Sequence, residues 1–216
     1  MNNFPTTFEF THTHSLQVNI FACECKITPS PDSQTHVYAK GCPKFLQALE
    51  VRHHGQQGLL EIGYKTDAND KKPVFENGEH DNTLIIELPC GDKGQHMTLG
   101  IDGSGAIESQ MPLFNTGDLS INGSGFIAVQ NFAGTCGAVI NTSGVINGKN
   151  AAQLKVSINC SGMCAWEDVQ QARVAIESSG VVSLASVQKL NTAVSGSGVV
   201  SIGETEDDDE EDDFDE

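Results

Sequence analysis

A Ser-Gly pair recurs six times in the second half of the chain: Ser104-Gly105, Ser124-Gly125, Ser143-Gly144, Ser161-Gly162, Ser179-Gly180 and Ser197-Gly198. Successive serines are 20, 19, 18, 18 and 18 residues apart. Three positions before each serine stand Ile101, Ile121, Ile140, Ile158, Ile176 and Val194, and three positions after it stand Ile107, Ile127, Ile146, Cys164, Val182 and Val200. A third apolar column, five positions before the serine, reads Leu99, Leu119, Ala138, Val156, Val174 and Thr192. Columns that return in the same order and direction at this period mark a stacked repeat, in which each copy buries its face against its neighbours.

Strand alternation gives the columns physical meaning. Side chains five and three positions before the serine share one face of a strand, and those between them face outward. The residue just before the serine is small (Gly103, Gly123, Thr142, Cys160, Ser178, Gly196), as a crowded corner requires. The glycine after it supplies a positive φ or a close backbone approach. Ala151-Leu154, Val169-Ala172 and Val187-Leu190 add a third apolar side, dividing an 18-residue coil into three sides of about six residues, near the usual strand length. The expected fold is all-β: a three-sided, single-stranded β-solenoid with six Ser-Gly coils over residues 99–203. Hairpins of an antiparallel sandwich show similarly spaced turns, but consecutive hairpin strands do not repeat one set of inward columns in one direction. The 22 glycines and 6% aromatic content agree with short strands and tight turns.

Residues 8–98 lack the Ser-Gly pair yet read as a β-rich part continuous with the coils, so that 8–203 forms one domain after a flexible 1–7. Leu16–Ile20, Leu59–Tyr64 and Leu84–Leu88 alternate as strands, Pro43–Leu49 suits a short helix with proline in its first turn, and Gly55–Gly58 suits a turn. Residues 65–81 are polar and aperiodic, as an exposed loop is. The order of these elements, the run Val37-Tyr38-Ala39-Lys40-Gly41 leading into Phe45-Leu46, and the repeats Gly103-Ser104-Gly105, Gly123-Ser124-Gly125 and Gly196-Ser197-Gly198 resemble the bacterial auto-transporter adhesin head, or GIN domain, family. The resemblance covers about residues 8–203. It implies a β-solenoid and an adhesion-like role, carries no catalytic residues, and comes from a family whose members are often exported or surface-attached.

The net charge of −17 is unevenly placed: eleven of the thirteen residues 204–216 are Asp or Glu, leaving −6 for the rest. Such a block reads as a disordered, solvated tail, and at the end of a solenoid it would limit homo-oligomer growth by strand edges. No Lys/Arg cluster suits nucleic acid, and no apolar run is long enough to insert in a membrane. The N-terminus shows no signal-peptide pattern, and seven cysteines form an odd set without disulfide-framework spacing. Both features lead to the expectation of a cytoplasmic protein.

No residue pattern announces a catalytic, metal or cofactor site. Cys23-Glu24-Cys25, His12/His14 and His53-His54 are short-range pairs rather than a four-ligand zinc set. Cys160 and Cys164 fall in the corner and inward columns and read as packing residues, as does Trp166 in the column of Leu184 and Ile202. A carbohydrate-active enzyme on a β-solenoid is the alternative, but it needs paired carboxylates at one site, whereas Asp102 and Glu177 lie four coils apart. The preferred reading is a non-enzymatic scaffold or interaction module that binds a protein or glycan partner through a flat side. The outward residues Ser120, Asn122, Ser124, Asn141, Ser157, Asn159, Ser161, Ser195 and Ser197 would form that face.

Overall fold

The computed structural model describes residues 6–65, 81–90 and 95–203. Residues 1–7 fall only partly within these spans, and the loop at 65–81 and the acidic segment 204–216 lie essentially outside them. The described residues form sixteen strands and one short helix, hydrogen-bonded into a continuous coiled sheet.

The expected β-solenoid is present. Its broadest side stacks β2 (Ser15–Ile20), β8 (His96–Ile101), β10 (Thr116–Ile121) and β12 (Asn131–Ile140) in parallel register. The second halves of β13 (Val145–Ile158), β14 (Met163–Ile176) and β15 (Val181–Val194) continue it. The second side stacks β3 (Glu24–Pro29), β9 (Ala106–Ser109), β11 (Phe126–Ala128), the first halves of β13, β14 and β15, and finally β16 (Val199–Ile202). The third side is much shorter than six residues: Asn150-Ala151, Asp168-Val169 and Ser186-Val187 align there and little else does. The three sides are therefore unequal, because Leu154, Ala172 and Leu190 belong to the start of the broad side.

Each inward column becomes a buried ladder. Leu99, Ile101, Ile121, Ala138, Ile140 and Ile158 are fully excluded from solvent, as are Ile107, Ile127, Ile146, Cys164 and Val182 on the second side. At about 1.5–3 kcal/mol for each buried aliphatic side chain, this wall is the principal stabilising term of the stack. The Ser-Gly glycines serve close approach at five of the six corners. A methyl at Gly125 would lie 2.6 Å from Cγ2 of Ile101, and methyls at Gly144, Gly162, Gly180 and Gly198 would strike Cγ2 of Ile121, Ile140, Ile158 and Ile176. Only Gly105 of the six has a positive φ, +154°. Gly148 follows the same logic beneath the buried Trp166, whose ring would lie 2.5 Å from an added methyl.

The regular stack begins earlier than the first Ser-Gly pair. β2 and β3 form a coil in register with β8 and β9, pairing Ile20 with Ile101 and Cys25 with Ile107. Its corner is one residue shorter (five steps from Ile20 to Cys25, six from Ile101 to Ile107) and turns through Ala22 at φ 47°. Ala22 N–H donates to Ser104 O, tying the two corners together.

Above this coil the N-terminal end is closed. β6 (Leu59–Tyr64) and β7 (Thr83–Leu88) add a further parallel layer. β4 (Thr35–Lys40) and β5 (Leu49–His54), joined by α1 (Pro43–Ala48), then pair with it antiparallel, and β1 (Thr6–Phe10) edges β4. Cys42 caps α1, its Sγ accepting from Phe45 N–H at 3.3 Å, and Phe45 is fully buried. Asn82 clamps the layers: its Nδ2 donates to Ala22 O and its Oδ1 accepts from Cys42 N–H, both at 3.1 Å.

The Ile-to-Gly contact yields a direct test. Gly162→Ala is expected to cost about 1–3 kcal/mol in urea unfolding, as overpacking does. Gly162→Ala combined with Ile140→Ala is expected to be less destabilised than the sum of the two single changes, because the added methyl then occupies space vacated by the isoleucine.

Candidate binding surface

The outward positions of the broad side form a grid. One row runs Asn19, Gly100, Ser120, Val139, Ser157, Ala175, Ala193 along the stack. Beside it, at the corner, Asp102, Asn122, Asn141 and Asn159 stand one per coil. Ser120 and Ser157 are half-buried in the first row and are separated by Val139, which is 37% exposed, so the polar row is interrupted. Asn122, Ser124, Asn141, Asn159, Ser161, Ser195 and Ser197 are exposed along the corner.

The asparagines are brought into line, and they bond to one another. Asn122 Nδ2 donates to Asp102 Oδ1 at 2.7 Å, Asn141 Nδ2 donates to Asn122 Oδ1, and Asn159 Nδ2 donates to Asn141 Oδ1 at 2.6 Å. Every amide points its donor toward the N-terminal end, and the Asp102 carboxylate accepts at the head of the row. These amides therefore join coils, which leaves them fewer groups to offer a ligand. A second ladder lies at another corner, where Asn150 Nδ2 donates to Asn131 Oδ1 and Asn131 Nδ2 to Pro112 O, both at 2.6 Å. The 19-residue spacing of Asn131 and Asn150 is its signal in the sequence.

Asp102 also borders a feature that the sequence does not announce. A cleft of about 270 Å³ opens at the N-terminal end of the broad side, between outward residues of β2, β5 and β6. Gln17, Asn19, Glu61, Glu50 and Arg52 line it with Asp102, and Phe21 and Tyr64 close one end with ring centroids 4.7 Å apart. Glycines at 63 and 100 flank Asn19; a methyl at Gly100 would come 3.2 Å from its Oδ1. The amide is thus left open on both sides. Each carboxylate is held by a partner: Glu50 by Arg52 at 2.8 Å, Glu61 by His54 Nε2 at 3.0 Å, and Asp102 by Asn122. Fixed carboxylates and amides beside an aromatic pair can accept and donate to hydroxyl groups and stack on an apolar ring face.

The cysteines differ in exposure, with Cys42 intermediate. Cys23, Cys25, Cys136 and Cys164 are buried, whereas Cys90 and Cys160 are exposed. Cys160 thus departs from the packing role expected of it: the corner column projects its side chain outward. Burial pushes the Cys23 and Cys164 thiols up to about 12, and those of Cys25 and Cys136 well up from 9.0. Cys23 and Cys25 face the core from one strand side and do not gather with the histidines; among the described residues no three His, Cys, Asp or Glu side chains cluster to hold a metal.

No family model and no curated protein matches the chain. Solved structures resemble it. A candidate adhesin from Bacteroides fragilis NCTC 9343 superposes with a TM-score of 0.60 at 13% identity, covering 91% of this chain and 96% of that one. A candidate lipid-binding protein from Parabacteroides distasonis ATCC 8503 is 14% identical with a TM-score of 0.46, over 94% and 98% of the two chains. The first likeness shows that the two chains share a fold.

Three outcomes follow from this geometry. Asn141→Asp removes the donor to Asn122 and should lower stability by about 1 kcal/mol at neutral pH in thermal or urea unfolding. The raised thiols bind protons in the folded state that the unfolded chain releases above about pH 9, so stability should fall as pH climbs from about 9 toward 12. Thiol reagents should label Cys90 and Cys160 in the native protein, with the four buried thiols reacting only on unfolding.

Proposed function

We propose that this chain is a non-enzymatic, adhesion-like interaction module of the GIN type, engaging its partner through the broad side and the cleft at its N-terminal end. The cleft carries the reading. It sets two amides, three partnered carboxylates and an aromatic pair around one opening, a lining that suits a glycan better than an apolar ligand. The fold of a bacterial candidate adhesin supports the same class of role. The partnership is assigned to the cleft rather than the asparagine row because that row is already committed to inter-coil bonds. Four buried thiols and an odd cysteine count support a reducing compartment, in keeping with a cytoplasmic location.

A carbohydrate-active enzyme has one specific observation in its favour, the meeting of Glu50, Glu61 and Asp102 in that cleft. Binding is preferred because each carboxylate is occupied by a fixed donor and the cleft is open to water.

Calorimetric titration of the purified chain with a panel of soluble polysaccharides tests this. Binding should appear for at least one glycan and weaken at least about tenfold, roughly 1.4 kcal/mol, in Asn19→Ala and Glu61→Ala without change in thermal unfolding. Release of reducing ends that depends on Glu61 would establish the enzyme instead. Binding indifferent to both substitutions would remove the cleft from the account.

A further inference from the structure

The chain carries 12 Lys and Arg against 29 Asp and Glu, yet the fold gathers three cations on the broad side. Arg173 follows Lys155 by 18 residues, one coil period, and the two stand opposite each other on β13 and β14. Lys189 follows Arg173 by 16 residues and lies opposite Gln171, one coil on and two residues back. At a strand spacing of about 4.8 Å and a rise of about 3.3 Å per residue, the Cα atoms of successive cations are about 5 and about 8 Å apart. All three side chains are exposed. None makes an ion pair or side-chain hydrogen bond among the described residues.

Like charges opposed on a sheet destabilise it, and outward positions here accept neutral residues, as the facing Gln153 and Gln171 show. The acids of the same side stand off from the group. Asp118 lies two coils from Lys155 in the same outward row, about 10 Å away, and Glu177 lies four residues along β14 from Arg173, about 13 Å away. Both backbone separations exceed the Debye length of about 8 Å at physiological salt. The repulsion is thus unrelieved among the described residues, and an anionic ligand would relieve it. Each of the three coils also presents one amide with its cation: Gln153 with Lys155, Gln171 with Arg173, and Asn191 with Lys189. A ligand matching that pattern offers one anion and free hydroxyls at each repeating unit, as a polyuronate does. A heavily sulfated glycan has fewer hydroxyls for the amides. Nucleic acid binding uses aromatic platforms and a protein partner an apolar anchor, whereas the outward residues beside the cations are Ser157, Ala175 and Ala193.

We propose that the outward face of β13, β14 and β15 on the broad side is a binding strip for an anionic polysaccharide of the polyuronate class. Its carboxylates meet Lys155, Arg173 and Lys189, and its hydroxyls bond to the amides beside them. Arg173 takes a carboxylate through two parallel N–H bonds, which fixes the register of the sugar chain. The proposal rests on the broad side being an interaction surface and not on the cleft, whose Asp102 follows β8, three strand spacings or about 14 Å from β13.

The probe is sodium polygalacturonate, titrated calorimetrically into the full chain, with neutral pullulan as its control. Polygalacturonate alone of the two should bind at about 50 mM salt, and its binding should weaken at least about tenfold at about 300 mM. Arg173→Gln should weaken it at least about tenfold, and Lys155→Gln, Arg173→Gln and Lys189→Gln together should abolish it. The triple variant should melt no lower than the parent, since it loses only exposed side chains that repel one another. Lys149→Gln, a cation at another corner, should leave binding unchanged, and so should Asn19→Ala and Glu61→Ala, so that this strip and the cleft are read separately. The proposal is overturned if polygalacturonate fails to bind, if the triple variant binds normally, or if Lys149→Gln weakens binding as much as Arg173→Gln. It is overturned equally if dextran sulfate or single-stranded oligothymidylate binds more tightly than polygalacturonate, since a sulfated glycan or a nucleic acid then holds the strip.

Discussion

The contact between an isoleucine of one coil and the corner glycine of the next sets the geometry of the whole stack. Cγ2 of Ile140 occupies the space a side chain at Gly162 would need, and the arrangement recurs between Ile121 and Gly144, Ile158 and Gly180, and Ile176 and Gly198. The isoleucine cannot reach the wall of the next coil unless the corner there has no Cβ. In turn, the missing Cβ would leave a void unless a β-branched side chain filled it. Two residues on different coils therefore constrain each other. Register between strands follows from this pairing, since a slip of one residue would place an outward side chain over the glycine.

What rests on that contact is a core only one coil thick in any direction, extended by addition. Inward residues touch the coil above and the coil below, so closure of the ends matters more than in a globular domain. At the N-terminal end closure uses reversed strands: β4 and β5 run against β7 and β6, and Asn82 links the β2–β3 corner to the start of α1. The same reversal brings Glu50, Arg52 and Glu61 beside Asn19 and creates the cleft. Capping and candidate binding thus share one piece of structure, and the cleft exists because the stack had to end there.

The coils from Leu99 onward were legible because their spacing is regular and their columns carry the same side-chain class. The coil formed by Ser15–Pro29 was not, because a corner one residue shorter, turning through Ala22, erases the Ser-Gly mark while leaving the inward residues Val18, Ile20 and Cys25 in register. Side length misled for a related reason: apolar spacing cannot tell where one side bends into the next, so Leu154 read as part of the third side though it begins the broad one. The alignment of Asn122, Asn141 and Asn159 could be read from the sequence, but not that their amides are spent on each other, which depends on distances of 2.6–2.7 Å. The cleft had no sequence signal at all. Its residues come from β2, β5, β6 and the Asp102 corner, and the long-range parallel pairing of β2 with β6 and β8, together with the β5–β6 hairpin, brings them together.

The placement of β1 and β16 gives the molecule a mechanical polarity. β1 edges β4 in the antiparallel cap at one end of the stack, and β16 pairs with β15 at the other. Tension between the two ends therefore acts along the stack, across inter-coil hydrogen bonds rather than along strands. The half-coil of β16, held to β15 by a register of four residue pairs, bears that load first, while the β14–β15 junction below it spans twelve pairs. Under pull the structure would peel from its C-terminal end, one coil at a time. A load borne on the broad side would instead be shared among many strands.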